Sequence, residues 1–228
     1  MNEFHVVMSA RSFRHWITAI LTTVVLSCAA PAGGQDKARA LFDGKSLDGW
    51  QGDTAGYEAQ DGVLVCTKAG RALQTEKTYG NFILRFEFKL AHGGNNGIAI
   101  RAPTDGRISR TGMEIQVLDD SAEKYKTLKD YQYHGSVYGL VPARRGHLKP
   151  VGEWNQQEIL CQGRHIKVTL NGAVIVDANL DDLGQVGLDG HEHPGRYRNS
   201  GHVGFIGHRS RVDFRNLRIK ELETGKAG

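Results

Sequence analysis

The chain has 228 residues, with 29 Lys and Arg against 25 Asp and Glu and a formal net charge of +4 at pH 7. Hydrophobic residues make up 39%, which is typical of a soluble globular protein and too low for a multi-span membrane protein. Glycine supplies 29 of the 228 residues, above the usual share of about 7%, and predicts many tight turns between short strands. Because no basic run reaches five residues, nucleic acid is not an expected partner.

The first part of the chain has the pattern of an export signal. Basic residues precede the apolar stretch Trp16–Leu26, which is too short to span a bilayer core of about 30 Å. Two kinds of signal-peptide processing are compatible with the sequence. One is a lipobox ending at Cys28, and the other is an Ala-x-Ala cleavage site at Ala30–Ala32. We therefore expect a signal peptide over residues 1–32, a linker over 33–39, and a periplasmic protein or an outer-membrane lipoprotein with a lipid anchor on Cys28.

Two cysteines remain after such processing. Cys66 and Cys161 each lie in an apolar run that is typical of a strand. In an oxidising compartment they form a disulfide if neighbouring strands bring their Cα atoms within about 6 Å. Otherwise they are two buried free thiols. The spacing does not resemble a zinc site.

Strands dominate the rest of the sequence. Apolar and polar residues alternate through Asn81–Leu90, the pattern of a strand with one buried face. Asn171-Gly172 predicts a two-residue hairpin turn. Short helical segments are expected at Ser121–Leu128 and Leu180–Leu183. Further strands are predicted at Gly62–Cys66, Gly97–Arg101, Gly112–Leu118, Gln156–Gln162, His165–Leu170, Ala173–Asp177, His202–Gly207 and Val212–Glu221.

This series of strands predicts an all-β fold. Many short antiparallel strands in one chain indicate a β-sandwich or jelly roll made of two sheets. One domain over residues 40–222, followed by a tail over 223–228, accounts for the pattern.

Strand parity selects a set of polar residues for one sheet face. With Ile115 in the core, Glu114 and Gln116 point to the opposite face, and the same argument places Arg101 and His208 there. A curved sheet lines a cleft with such a face. The residues either bind a ligand in this cleft or belong to an ordinary solvated surface.

Six motifs in order along the chain resemble a known family. They are Leu41–Trp50, Asn96–Arg101, Gly112–Asp119, His134–Gly139, Gly152–Asn155 and Val212–Ile219. Together they resemble the bacterial 3-keto-disaccharide hydrolase family, also described as 3-keto-glucoside 1,2-lyase/hydratase. The resemblance covers residues 40–222 and implies a concanavalin-like jelly roll with a concave cleft, export, and cleavage of sugars oxidised to a ketone at C3.

The implied chemistry needs a base, an acid and an electrophile. Removal of the C2 hydrogen gives an enolate, the C1 leaving group is eliminated, and water adds back. We expect the catalytic residues to be Glu114, His134, Tyr138 and His208. We expect the substrate-binding residues to be Asn96, Arg101, Gln116 and Asp119, although Asp119 is equally suited to cap a turn.

No cofactor is certain from the sequence. A divalent metal ion held by Glu114, His134 and His208 would stabilise the enolate, and Arg101 with Tyr138 is the metal-free alternative. His191-Glu192-His193 also invites a metal interpretation, but a flexible polar loop over 187–201, acting as a lid, explains it as well.

Two other function classes share this fold. A non-catalytic carbohydrate-binding module would carry several exposed aromatic residues for stacking on sugars. An ordinary glycoside hydrolase would place a second carboxylate near Glu114 on the cleft face, where Gln116 and Leu118 stand instead. Elimination from an oxidised sugar is therefore the favoured function.

Overall fold

A computed structural model describes Met1 and residues 38–223. Residues 38–223 belong to one compact unit. Apart from Met1, the predicted signal peptide, with Cys28, lies outside the described residues. No helix in the described part of the chain is long and apolar enough to cross a membrane.

Strands form nearly all of the regular structure. They are β1 (Arg39–Ala40), β2 (Trp50–Gly52), β3 (Tyr57–Gln60), β4 (Val63–Cys66), β5 (Ala72–Tyr79), β6 (Phe82–Leu90), β7 (Asn95–Ala102), β8 (Met113–Leu118), β9 (Trp154–Gln162), β10 (His165–Leu170), β11 (Ala173–Asn179), β12 (Gly201–Ile206) and β13 (Val212–Glu221). A short helix, α1 (Ile108–Thr111), precedes β8. The 3-10 turns are Thr54–Gly56, Glu123–Tyr125, Asp130–Gln132, Leu180–Asp182 and Pro194–Tyr197.

Two antiparallel sheets are present. The eight-stranded sheet has the order β11-β10-β9-β6-β13-β4-β3, with β1 also paired to β13. The five-stranded sheet has the order β2-β5-β12-β7-β8. These two sheets confirm the predicted all-β jelly-roll sandwich, and β7, β8 and β12 form the part of it that carries the cleft.

The core lies between the two sheets and follows the predicted alternation. In β6, the side chains of Phe82, Leu84, Phe86, Phe88 and Leu90 are all buried, while the intervening residues are partly exposed. Phe205 of β12 packs on Phe214 of β13 with ring centroids 4.4 Å apart, which joins the sheets. Burial of these side chains supplies the main driving force for the fold.

The N-terminal motif is structural. Phe42 and Trp50 are buried, and the Trp50 indole N–H donates to the carbonyl of Leu41. Asp43 accepts hydrogen bonds from the backbone N–H groups of Lys45 and Ser46, which closes the turn. These residues hold the N-terminal segment against the sandwich.

Both described cysteines are buried free thiols. Cys66 lies in β4 and Cys161 in β9. Burial raises the pKa of the Cys161 thiol to about 11. The disulfide alternative is therefore not realised, and neither thiol is available as a thiolate at neutral pH.

Candidate active site

A cleft of about 470 Å³ opens on the outer face of the five-stranded sheet. Its floor comes from β7, β8 and β12, one wall from the segment before β8, and the other from the segment after it. The lining residues are Ala72, Asn95, Gly106, Arg107, Ile108, Ser109, Glu114, Gln116, Leu118, Tyr125, Leu128, Gln132, Tyr138, Ile206 and His208. The volume is within the usual range for a small-molecule site.

Strand β8 divides its side chains between core and cleft. Met113, Ile115 and Val117 belong to the hydrophobic core. Glu114 and Gln116 line the cleft, as the parity argument predicted. The alternation of a β-strand thus places two polar residues on the cleft floor, one pleat apart.

The chain after β8 returns along this strand and brings Tyr138 beside Glu114. The Gly135 N–H donates to the Gln116 carbonyl, and the Tyr138 N–H donates to the Glu114 carbonyl. Tyr138 lines the cleft, and its hydroxyl oxygen accepts a hydrogen bond from Gln132 Nε2 at 3.0 Å. The phenol O–H proton therefore remains free to donate to a ligand.

The Glu114 carboxylate forms a pair with His208. Glu114 Oε1 lies 3.2 Å from His208 Nε2, and the exposed fractions of the two side chains are 6% and 40%. A Cβ atom added to Gly97 would lie 2.2 Å from Glu114 Oε1. Gly97 therefore provides the space that the carboxylate occupies, and the nearly buried Glu114 faces the cleft beside a partly exposed His208.

Gln116 has an unused hydrogen-bond acceptor. Its Nε2 donates to Asn95 Oδ1 at 3.2 Å, which fixes the amide orientation. Its Oε1 is buried and has no hydrogen-bond partner. An unpaired buried acceptor beside a cleft is costly, and a ligand hydroxyl would satisfy it.

Arg107 is a cleft residue that the sequence reasoning missed. It precedes α1, its guanidinium Nε donates to Ser109 Oγ at 3.2 Å, and it lines the cleft. Among the described cleft-lining residues it is the only Arg or Lys. Strand periodicity could not place Arg107 on the cleft, because Arg107 lies in an irregular segment. The sequence offers only a Gly-Arg dipeptide between two strands as a sign of this position.

Arg101 does not face the cleft, contrary to the parity prediction. The pairing of β12 with β7 shifts register near this position, and Arg101 has a positive φ of 47°. Its side chain is fully buried and donates to the carbonyls of Gly80 and Gly163, at 3.1 and 2.8 Å. The irregularity breaks the alternation and gives Arg101 a structural position.

His134 also lies away from the cleft. Its ring stacks on Phe88, its Nδ1 accepts from the Leu118 N–H, and its Nε2 lies 2.9 Å from Gln157 Oε1. Burial lowers the pKa of His134 to about 4, against a smaller opposing effect of the Gln157 hydrogen bond. A neutral imidazole with both nitrogens engaged is poorly placed for acid–base catalysis in the cleft.

Asn96 and Asp119 are buried and do not line the cleft either. Asn96 Oδ1 accepts from the Gly97 N–H, and its side chain lies beside Cys66. Asp119 accepts from the backbone N–H groups of Gly93 and Ser121. Asp119 therefore caps a turn, which was the second of its two predicted roles.

The predicted metal ligands do not assemble. Glu114 and His208 are paired, but the two ring nitrogens of His134 are engaged elsewhere. Within residues 38–223, no group of three His, Cys, Asp or Glu side chains is arranged to hold a metal ion. The donor set in the cleft therefore does not fit the predicted three-ligand site.

The loop over 187–201 supports a cleft wall and does not line the cleft. His193 is buried, with Nδ1 2.9 Å from the Ser109 carbonyl and Nε2 2.9 Å from Asp189 Oδ1. Burial would raise the pKa of Asp189, but the hydrogen bonds from His193 and the His191 N–H outweigh it and lower the pKa. His193 thereby ties the loop to α1, behind Arg107.

Fold and site together define a jelly-roll protein with a polar cleft on its smaller sheet. The chain belongs to the 3-keto-alpha-glucoside-1,2-lyase-like domain family, whose pattern matches residues 37–220. This confirms the family resemblance.

Relatives agree with this assignment. The chain is 27% identical to a 3-keto-disaccharide hydrolase of Bacteroides thetaiotaomicron, across 80% of this chain and 78% of the relative. It resembles the crystal structures of two candidate glycosyl hydrolases from Parabacteroides distasonis. The first is 30% identical, with a TM-score of 0.73 over 82% of this chain and 100% of that one. The second is 28% identical, with a TM-score of 0.71 over 82% and 94%.

Proposed function

We propose that this protein is an exported enzyme that cleaves 3-keto-glucosides or 3-keto-disaccharides by elimination followed by hydration. The observation that carries the proposal is the nearly buried Glu114 carboxylate, paired with His208 over Gly97 in the cleft. Family membership and the hydrolase name of the Bacteroides relative support action on a sugar.

The carboxylate content of the cleft favours elimination over ordinary glycoside hydrolysis. Ordinary glycosidases use two carboxyl groups about 5 to 9 Å apart. Glu114 is the only carboxylate among the described residues that line this cleft. A ketone at C3 acidifies the C2 hydrogen, so one base is sufficient to start the reaction.

The proposed reaction has two stages. Glu114 takes the C2 proton, and the electron pair moves to the C3 oxygen as an enolate. The enolate then reforms the C3 carbonyl, a C1–C2 double bond forms, and the bond from C1 to the glycosidic oxygen breaks as that oxygen receives a proton. Water finally adds across the double bond, with hydroxyl on C1 and hydrogen on C2, which gives net hydrolysis.

The remaining cleft residues supply the other roles. Tyr138, with its O–H free, is the proposed donor to the leaving oxygen. Arg107 takes the electrophilic role predicted for Arg101 and stabilises the enolate oxygen. His208 holds the Glu114 carboxylate in place. It also passes the proton that Glu114 has taken from C2 to the solvent.

Metal dependence stays a separate prediction. Glu114 and His208 could offer a divalent ion two ligands, and water or substrate would have to supply the rest. Activity after treatment with a chelator, and after re-addition of manganese, zinc or calcium, tests this point.

The function is tested by comparing oxidised with parent sugars. Purified protein is incubated with 3-keto-glucosides and with the same unoxidised glucosides, with and without chelator. We expect cleavage of the keto sugars alone. Equal rates on both kinds of substrate would overturn the elimination mechanism.

A further inference from the structure

The cleft differs in chemistry along β8. Near the start of the strand lies Arg107, because α1 runs directly into β8. The Glu114–His208 pair and the unused Gln116 acceptor follow in the middle. Four residues beyond Glu114, about 13 Å at the usual rise of a strand, the floor ends in Leu118.

The far end of the cleft is apolar. It is lined by the half-buried side chains of Tyr125 and Leu128, from the segment after β8, next to the fully buried Leu118. The Tyr125 hydroxyl donates to the Gly93 carbonyl, and Gly93 is itself bonded to Asp119, the residue after Leu118. The backbone N–H of Leu128 donates to the Tyr125 carbonyl. These contacts place the three side chains together.

Several hydrogen-bonding groups at this end are already engaged, including Asn95 Oδ1 on the strand beside Leu118, which accepts from Gln116. The Tyr125 O–H donates to the Gly93 carbonyl, and the Leu118 N–H donates to His134 Nδ1. Gln132 accepts from the Lys129 N–H and donates to Tyr138. The Lys124 ammonium lies 4.7 Å from the centroid of the Tyr125 ring and covers it. A ring with many hydroxyls would lose water here and find few partners, whereas an apolar ring would gain from burial.

We infer that the cleft binds its substrate in one direction, with the keto sugar toward Arg107 and an apolar leaving group against Tyr125 and Leu128. This inference rests on the proposed function and specifies its substrate class. The preferred substrates are 3-keto-glucosides of hydrophobic alcohols, not of a second sugar.

The test compares two alcohol leaving groups of similar acidity with a sugar leaving group. Methyl and cyclohexyl 3-keto-glucosides of the same anomeric configuration are assayed beside a 3-keto-disaccharide, and kcat/KM is measured for each. We expect the cyclohexyl compound to exceed the methyl compound about tenfold or more, the scale of added apolar contacts in a binding site. It should also exceed the disaccharide, although a sugar is the more acidic leaving group.

Substitutions at the apolar end sharpen the test. Leu128→Asn should reduce the cyclohexyl-to-methyl ratio to within about threefold, while Leu128→Met should keep it. The matched control is Leu188→Asn, at an exposed leucine outside the cleft lining, which should leave the ratio unchanged. The ratio in the unaltered protein is informative even if Leu128→Asn does not fold.

Each outcome separates the two claims. Equal rates for the methyl and cyclohexyl compounds, or a faster disaccharide, would overturn the apolar leaving-group site while the proposed function stands. An unchanged ratio in a folded Leu128→Asn variant would do the same. Failure to cleave any 3-keto-glucoside would overturn the proposed function itself.

Discussion

Two groups of polar residues near β8 differ in how they use their hydrogen bonds. In the cleft, Glu114 pairs with a partly exposed His208, and Gln116 Oε1 has no partner. In the interior, Arg101 and His134 are completely buried or nearly so, and they bond mainly to backbone groups and to a glutamine. The residue types are similar, but only the first group retains capacity to bind a ligand. Unused hydrogen bonds facing a cleft distinguish a functional site from buried structural polarity.

The largest expected effect is at Glu114. Glu114→Gln should lower kcat about 10²-fold or more, the scale of a lost acid–base group. It should leave the melting temperature nearly unchanged, since the side chain faces the cleft. Glu76→Gln on the exposed part of β5 is the control, because it removes the same charge outside the cleft. A fall in melting temperature as large as that of a core truncation would assign Glu114 to structure.

Gly97 gives the next largest effect. In Gly97→Ala the new Cβ displaces the end of the Glu114 side chain, and a shift of about 1 Å in a reacting group can cost about 10²-fold in rate. Folding should change little, because a side-chain end can move. In Gly204→Ala the Cβ would instead lie 2.1 Å from the Leu73 carbonyl oxygen, which is backbone, so stability should fall. Kinetics and thermal unfolding of both variants check this contrast, and similar behaviour of the two would argue against it.

His208 in the cleft and His134 in the interior allow the two groups of polar residues to be compared by the same substitution. His208→Gln should lower kcat about tenfold or more and keep stability, because the ring is in the cleft and 40% exposed. His134→Gln should keep kcat at neutral pH within about threefold if the protein folds. If His134→Gln abolished activity and His208→Gln did not, His134 would have to be counted among the catalytic residues.

The last expected effect is on stability and not on activity: a pH dependence of the free energy of unfolding that comes from His134. Its pKa is about 4 in the folded protein and 6.5 as the ordinary value. Below about pH 6.5 the unfolded chain takes up a proton that the folded chain does not. The free energy of unfolding should therefore fall as the pH falls toward 4, by up to about 3 kcal/mol from this group. Urea unfolding between pH 4 and 7 should show a shallower slope in His134→Gln; an unchanged slope would contradict the neutral, buried imidazole.

Regular alternation is the part of the fold that the sequence could predict. The strand Val212–Glu221 has the predicted bounds, and Phe82–Leu90 has its alternate residues buried. The same periodicity correctly placed Glu114 and Gln116 on the cleft face. Ala72–Tyr79 was missed, because its polar residues outnumber the apolar ones and hide the alternation.

Irregular backbone explains the differences at the site. The register shift near Arg101 reverses its side chain, and no local sequence pattern signals such a shift. His134 is in a segment whose path along β8 is set by tertiary contacts, so its burial could not be read from spacing. Arg107 lies in the segment before α1, where periodicity gives no orientation.

Isotope labelling at C2 tests the central claim most directly. A 3-keto-glucoside that carries deuterium at C2 is cleaved in ordinary water, and initial rates and early product are compared with those of the unlabelled substrate. We expect slower cleavage of the labelled sugar and a product with hydrogen at C2, because Glu114 removes the C2 proton before the C1 bond breaks. Equal rates together with complete retention of deuterium in the product would contradict it.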